Sequence, residues 1–289
     1  MELLNKKGTG LQNTETDLYD FSLGAITGFA DVKTLPREFS IDLEGSGVRD
    51  QGDTDMCTAY ALTAVAQDQE LVSLDPAFIF WATKQITGEP DAWGADLRSA
   101  CKAAVKYGFL ERKDSGFVDP PTSGDRDRAA AGAYLKKGDL ERALEHKKRS
   151  FFSVKGPYDM YDNIRSAIWQ TRDENRSVFT GVQWKPEWTK VKGGSISDLG
   201  GTTSFGHAIK AIGWDNDRMI LRLSNGKNIG DGGYFNITRE IVNKTFTFDG
   251  FTFLDMPREQ AEYEIKKKEA AFFESIGLGI NYWFKSIFS

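Results

Sequence analysis

VRDQGDTDMCTAYALTAV, residues 48–65, places a single cysteine, Cys57, where the sequence pattern changes. Ahead of it lie a tight Gln51-Gly52 turn and a polar stretch. After it Tyr60, Ala61, Ala64 and Val65 follow at helical spacing, with Thr54 or Asp55 as candidate N-cap. Cys57 is therefore expected in the first turn of a helix. That position favours the thiolate, which a free cysteine with a pKa of about 8.5 scarcely populates at neutral pH. A small buried apolar residue is the ordinary reading of a cysteine. The entry of a helix, rather than its packed middle, argues for chemistry instead.

Cys101, the second cysteine, falls on the apolar stripe Leu97, Ala100, Cys101, Ala104, Val105 and is expected to be inert core. Thiolate chemistry near neutral pH needs a histidine as base, and the chain has 2. His146 lies in the charge run Glu145-His146-Lys147-Lys148-Arg149, read as a solvated helix end. His207 opens an apolar strand after a Gly-containing loop, from which it can reach a helix end; a hydrogen-bonded strand-end residue is the blander reading.

Working outward, helical patterns run from Ser73 to about Ile86 and from Asp96 to Gly108. Residues 119–150 open with a Pro-rich loop and continue as the charged helix GDLERALEHKKR, expected to link two lobes. One more helix, Tyr158 to Gln170, precedes strand-like runs at Ser177–Trp184, FGHAIKAIGW (205–214) and RMILRLSN (218–225). Residues 1–34 lack periodicity and read as an extension wrapping a core built elsewhere. Residues 257–271 read as a charged helix.

Together these segments resemble papain-like cysteine peptidases. VRDQGDTDMCTAYALTAV is similar to the family's nucleophile segment, with glutamine six residues ahead of the cysteine. FGHAIKAIGW resembles its histidine strand, and SNGKNIGDGGYF (224–235) its asparagine segment. His207 follows Cys57 by 150 positions, at the edge of the family's roughly 130–150. LPREFSIDL, DPAFIFWATKQ and ADLRSACKAAVKYGF extend the likeness over most of the chain, nearest the bacterial and phage branch without disulfides. The resemblance implies an α+β, two-lobed fold with a helical N-terminal lobe and a β-rich C-terminal lobe. It further implies Cys57 as nucleophile, His207 as base, Gln51 with the Cys57 N–H as oxyanion donors, and Asn225 as the residue orienting the imidazole. Oxyanion donors contribute about 2.7–4 kcal/mol each in comparable sites. Period-2 alternation puts Asn225 on the face of His207; Asn228 is the second choice. Asp55, Gly94 and Gly206 are expected to bind substrate, Asp55 by favouring Lys or Arg on the acyl side of the scissile bond.

Two departures stand out: Asp55-Met56 where the family has Gly-Ser, and Lys227 where it has a shielding tryptophan. Asp50, Asp53 and Asp55 also crowd carboxylates near the helix entry, which disfavours a thiolate. A catalytically degenerate interaction protein and another thiol acyl-transferase, transglutaminase-like or amidase, are therefore the rival readings.

The chain of 289 residues carries a net charge of -5 with basic and acidic residues interleaved, so nucleic acid is not an expected partner. No apolar signal core opens MELLNKKGTGLQ and no multi-bridge cysteine framework exists, so a reducing, cytoplasmic setting is expected, or a virion for a phage protein. No cofactor or metal is implied; the partner is a protein or peptide substrate. The expected organisation is an extension at 1–34, a peptidase domain at 35–256 with a lobe boundary near 119–156, and a helix with an aromatic docking tail at 257–289. The tail concentrates Phe272, Phe273, Tyr282, Trp283 and Phe284, and is expected to dock on the protein or an assembly partner ahead of a membrane.

Overall fold

The computed structural model describes residues 10–12, 21–41, 47–174 and 176–275. Some helices of the first half begin where a local side chain accepts an otherwise orphaned backbone N–H, and others do not. Helix α1 spans Leu23–Thr27. Helix α2 is Cys57–Glu70. Helix α3, Pro76–Thr87, is capped by Asp75, whose carboxylate accepts the Ala77 N–H, with Pro76 at the first position and Gly88 past the end. Helix α4, Leu97–Tyr107, is capped by Asp96 and stopped at Gly108, as its sequence pattern predicts. These helices bury Leu62, Val65, Phe78, Phe80, Leu97, Ala100 and Cys101 in one apolar core. Cys101 is thus the buried thiol expected of it.

Residues 119–150 differ from the single linking helix. They form α5 (Ser123–Ala130), α6 (Asp139–Ala143) and a 3-10 turn at Leu144–His146. Gly132 and Gly138, both at positive φ, interrupt the helical path. His146 is not a solvated charge either: its ring nitrogens lie 3.0 Å from Glu70 and 3.4 Å from Glu111.

The second half is one mixed sheet. Its strands are β1 (Glu38–Ser40), β2 (Ser150–Ser153), β3 (Val178–Trp184), β4 (Ser195–Ile196), β5 (Phe205–Asp215), β6 (Arg218–Arg222), β7 (Tyr234–Thr238) and β8 (Gly250–Leu254). Their order is β2-β8-β3-β5-β6-β7-β4, with β1 on β5; β4 and β7 are parallel and the other pairs antiparallel. Period-2 alternation sends Phe179, Ala208, Phe251 and Phe253 into the helical core. Val178, Val182, Ile209, Ala211 and Trp214 enter a second core with helix α7 (Met160–Gln170). The sheet therefore serves both lobes.

Helix α8 is Arg239–Thr245 and α9 is Arg258–Ser275. The start of α9 lies against the body: Ala261 is buried, Arg258 stacks over Phe21 and Lys268 donates to the Ile26 carbonyl of α1. The tail beyond Ser275 lies outside the described residues. Among the described residues no helix is long and apolar enough to cross a membrane.

Helix α2 packs directly on β5. Where they cross, Lys210 of β5 and Asp68 of α2, each about 1% exposed, form an ion pair, and Lys210 also donates to the Ala64 carbonyl at 3.2 Å. A buried pair of this kind costs about 3–5 kcal/mol to break by removing one partner. It fixes the helix carrying Cys57 against the strand carrying His207.

Candidate active site

Cys57 is the first residue of α2, at the positive end of the helix. Neither Thr54 nor Asp55 caps that helix. Met56 holds the cap position without a side-chain bond, because the Thr54 hydroxyl donates to the Gln51 carbonyl at 2.7 Å and Asp55 is drawn to Arg126. The thiol is fully buried and hydrogen-bonded with the backbones of Ala208 and Gly10 and with the Thr58 side chain. Ala208 is the neighbour of His207, so the thiol meets β5 at the candidate base. Burial pushes the thiol up to about 11, the Asp55 charge adding to it against these hydrogen bonds.

His207 is buried and pairs with Val182 across β3. Two residues on, Trp184 shares its face, and the indole meets the imidazole edge-on with ring centroids 5.9 Å apart. Trp184 is braced in turn by Trp188 and Phe235. An aromatic ring thus covers the imidazole from β3, where Lys227, in the turn after β6, has none to offer. Lys227 itself is exposed.

The β5–β6 register pairs Lys210 with Arg222. The ladder ends there, and residues 224–226 pair instead with 49–51. Asn225 is buried and bridges Asp50, whereas Asn228 is exposed on the following turn.

Gln51 is fully buried beside the same segment. Its amide N–H donates to the Thr54 carbonyl at 2.8 Å, and its amide oxygen accepts from the Ser224 hydroxyl at 2.6 Å. Both ends of the amide are thereby fixed, and its nitrogen carries a second N–H for an oxyanion. Ser224, the residue before Asn225, thus holds the glutamine together with Thr54. Nothing in its sequence context marks that role.

Residues 10–12 lie across this site. Leu11 N–H donates to the Gly206 carbonyl at 3.3 Å, Ala95 N–H donates to the Gly10 carbonyl at 2.8 Å, and Gln12 N–H donates to the Ala95 carbonyl at 3.1 Å. Leu11 forms a parallel bridge with Ala95 and is buried in the core cluster that includes Cys57 and Ala208. Gly94 and Gly206 wall the segment on opposite sides. A Cβ at Gly94 would come within 1.8 Å of the Gly10 carbonyl oxygen, and one at Gly206 within 2.7 Å of that of Leu11. Both glycines therefore leave the room that the protein's own residues 10 and 11 occupy.

Asp55 is the exception among the expected substrate contacts. Its carboxylate is fully buried, takes Arg126 Nε and Nη2 at 2.9 Å each, and accepts the Gly94 N–H. Both oxygens of the carboxylate are thus committed within the protein, against the expectation that it selects Lys or Arg.

No protein-family model matches the sequence, and no curated protein matches it. Solved structures do. Xylellain, a cysteine protease from Xylella fastidiosa, superposes with a TM-score of 0.68 at 20% identity, covering 87% of this chain and 97% of its own. A procathepsin B of Trypanosoma congolense gives 0.63 at 15%, covering 86% of each chain. The Carica candamarcensis cysteine protease CMS1MS2 gives 0.56 at 18%, covering 77% of this chain and 100% of its own. With two lobes meeting at α2 and β5, the chain has the fold of the papain-like cysteine proteases.

Proposed function

We propose that this protein is a cysteine-type peptidase that hydrolyses peptide or isopeptide bonds through a thioester acyl-enzyme. The Cys57 thiolate attacks the substrate carbonyl while the Gln51 amide and the Cys57 N–H hold the developing oxyanion. His207 accepts the thiol proton and delivers it to the leaving amine. It then takes a proton from water as that water attacks the thioester, releasing the acid and restoring the thiol. Asn225 orients the imidazole, and Trp184 keeps water from its edge.

The observation that carries this reading is the thiol at the first residue of α2, hydrogen-bonded with the backbone next to His207. Residues 35–256 are the catalytic unit in this proposal, 1–34 an extension that reaches the cleft, and 257–289 a helix and docking tail whose partner is a protein. The two cysteines, both free, suit a reducing compartment such as the cytoplasm. Intact-mass measurement after incubation with an epoxide-type thiol-protease inactivator tests the reading. One adduct on the protein and none on Cys57→Ala is the expected result; an unmodified protein, or an adduct retained without Cys57, refutes it.

A further inference from the structure

A carboxylate two residues ahead of a nucleophilic thiol works against the thiolate, and a buried one more so, because no water screens it. Asp55 is such a group. What answers it comes from helix α5, 71 positions later in the chain: the Arg126 guanidinium closes on the carboxylate as a fork, Nε to Oδ1 and Nη2 to Oδ2, both at 2.9 Å. The pair is buried on both sides, and the arginine lies over the Phe80 ring, 5.4 Å from its centroid. Thr122 and Asp125 cap α5 reciprocally, so the element presenting Arg126 is fixed at its start.

The same three-element cluster grips the cleft edge. Arg126 Nη2 donates to the Ala92 carbonyl at 2.6 Å, and Asp55 accepts the Gly94 N–H. Lys84 of α3 donates to the Ala92 carbonyl at 2.6 Å and to that of Gly94 at 2.5 Å. The Thr58 hydroxyl, beside the nucleophile, donates to the Ala95 carbonyl at 2.9 Å. The inward polar groups of residues 92–94 are thus held by charged side chains, and Ala95 offers its N–H and carbonyl to whatever chain lies in the cleft.

We propose that Arg126 is a positioning residue of the reaction: it neutralises the Asp55 carboxylate beside the nucleophile and holds residues 92–95 as the edge that binds a peptide backbone. The proposal rests on the reading of Cys57 as nucleophile. Its charge and packing parts separate in a pair of substitutions. Arg126→Gln takes away the fork and leaves the Asp55 carboxylate with the Gly94 N–H and the Lys84 charge; Asp55→Asn with Arg126→Gln removes the carboxylate while the fork stays lost.

The assay is the rate of Cys57 alkylation by iodoacetamide at neutral pH on the full chain, followed by peptide mapping. A like charge left unpaired raises a neighbouring acid by about one unit, which cuts thiolate about tenfold; the gain in nucleophilicity returns part, for a net slowing of about 3- to 4-fold. Arg126→Gln is expected to slow by that factor and the double substitution to recover the unsubstituted rate, while both exchange the amide hydrogens of residues 92–95 faster. Arg126→Lys, which keeps the charge without the fork, is expected to alkylate at the unsubstituted rate. It also decides the matter if Arg126→Gln does not fold. Equal rates for the single and double substitutions, or a slowed Arg126→Lys, overturn the proposal. The readout does not depend on turnover, so a reactive thiol without peptide hydrolysis would refute the peptidase reading and leave this one standing.

Discussion

Leu11→Ala is expected to open the site. The segment 10–12 is held by three backbone hydrogen bonds to residues 95 and 206, by the Gln12 amide on the Trp93 carbonyl, by Gly10 on the Cys57 thiol and by the burial of one leucine. At about 0.5–1.5 kcal/mol per hydrogen bond and about 1.5–3 kcal/mol for the leucine, the gross hold is some 4–10 kcal/mol. Ordering three residues opposes it by about 1–2 kcal/mol each, so the segment stays closed by only about 1–4 kcal/mol. Trimming leucine to alanine removes close to three carbon groups at about 0.8 kcal/mol each, roughly 2.4 kcal/mol, a factor of about 50 in occupancy. The assay is the second-order rate of inactivation by an epoxide-type inactivator, which must enter the cleft. Leu11→Ala should react about 10- to 50-fold faster, helped by rehydration of a thiol that burial pushes up to about 11. Equal rates in two folded proteins would show that the segment does not limit access.

Cys57→Ser and His207→Ala should each abolish hydrolysis of a fluorogenic peptide with circular dichroism unchanged, while Cys101→Ser retains it; dependence on Cys101 instead would reassign the nucleophile. Gln51→Ala should lower kcat about 10²- to 10³-fold with little change in KM, and Ser224→Ala less, because Thr54 still holds the amide. Asn225→Ala should reduce kcat and Asn228→Ala should not; the opposite pattern would move the orienting role to the exposed residue. Burial pushes the Lys84 ammonium down to about 8. The folded state then binds fewer protons than the unfolded one between about pH 8 and 10, where stability must rise with pH. Chemical denaturation of the unsubstituted protein and Lys84→Met across that window should show the difference in their stabilities growing in favour of the lysine, and a constant difference would refute the assignment.

What could be read from the sequence was local. Helix α4 begins and ends where Asp96 and Gly108 predict, because a cap acts on its own neighbours. The strand-like runs 205–214 and 218–225 were legible for the same reason, since period 2 needs no tertiary information. Other features depended on partners far along the chain. Thr54 and Asp55 are good caps in isolation, yet a turn and an arginine from α5 claim them first. Trp184 shares a face with His207 only once the β3–β5 register is known. Residues 10–12 carry no periodicity, because an extended chain paired edge to edge in a groove needs only backbone amides and one apolar side chain.

The buried Asp68–Lys210 pair bears on how a ligand gets in. A two-lobed body invites the picture of a jaw, whose mouth widens as the halves swing apart. Here the hinge is pinned by two opposite charges that would have to part in a place water does not reach. The thread across the mouth is fastened by neutral hydrogen bonds and one apolar side chain. Entry is therefore expected to resemble unzipping more than yawning, with residues 10–12 peeling away on the timescale of a loop rather than of a domain while the rims stay put. Rims held in this way should admit ligands by their cross-section, so slim and branched backbones should be told apart before any side chain is read.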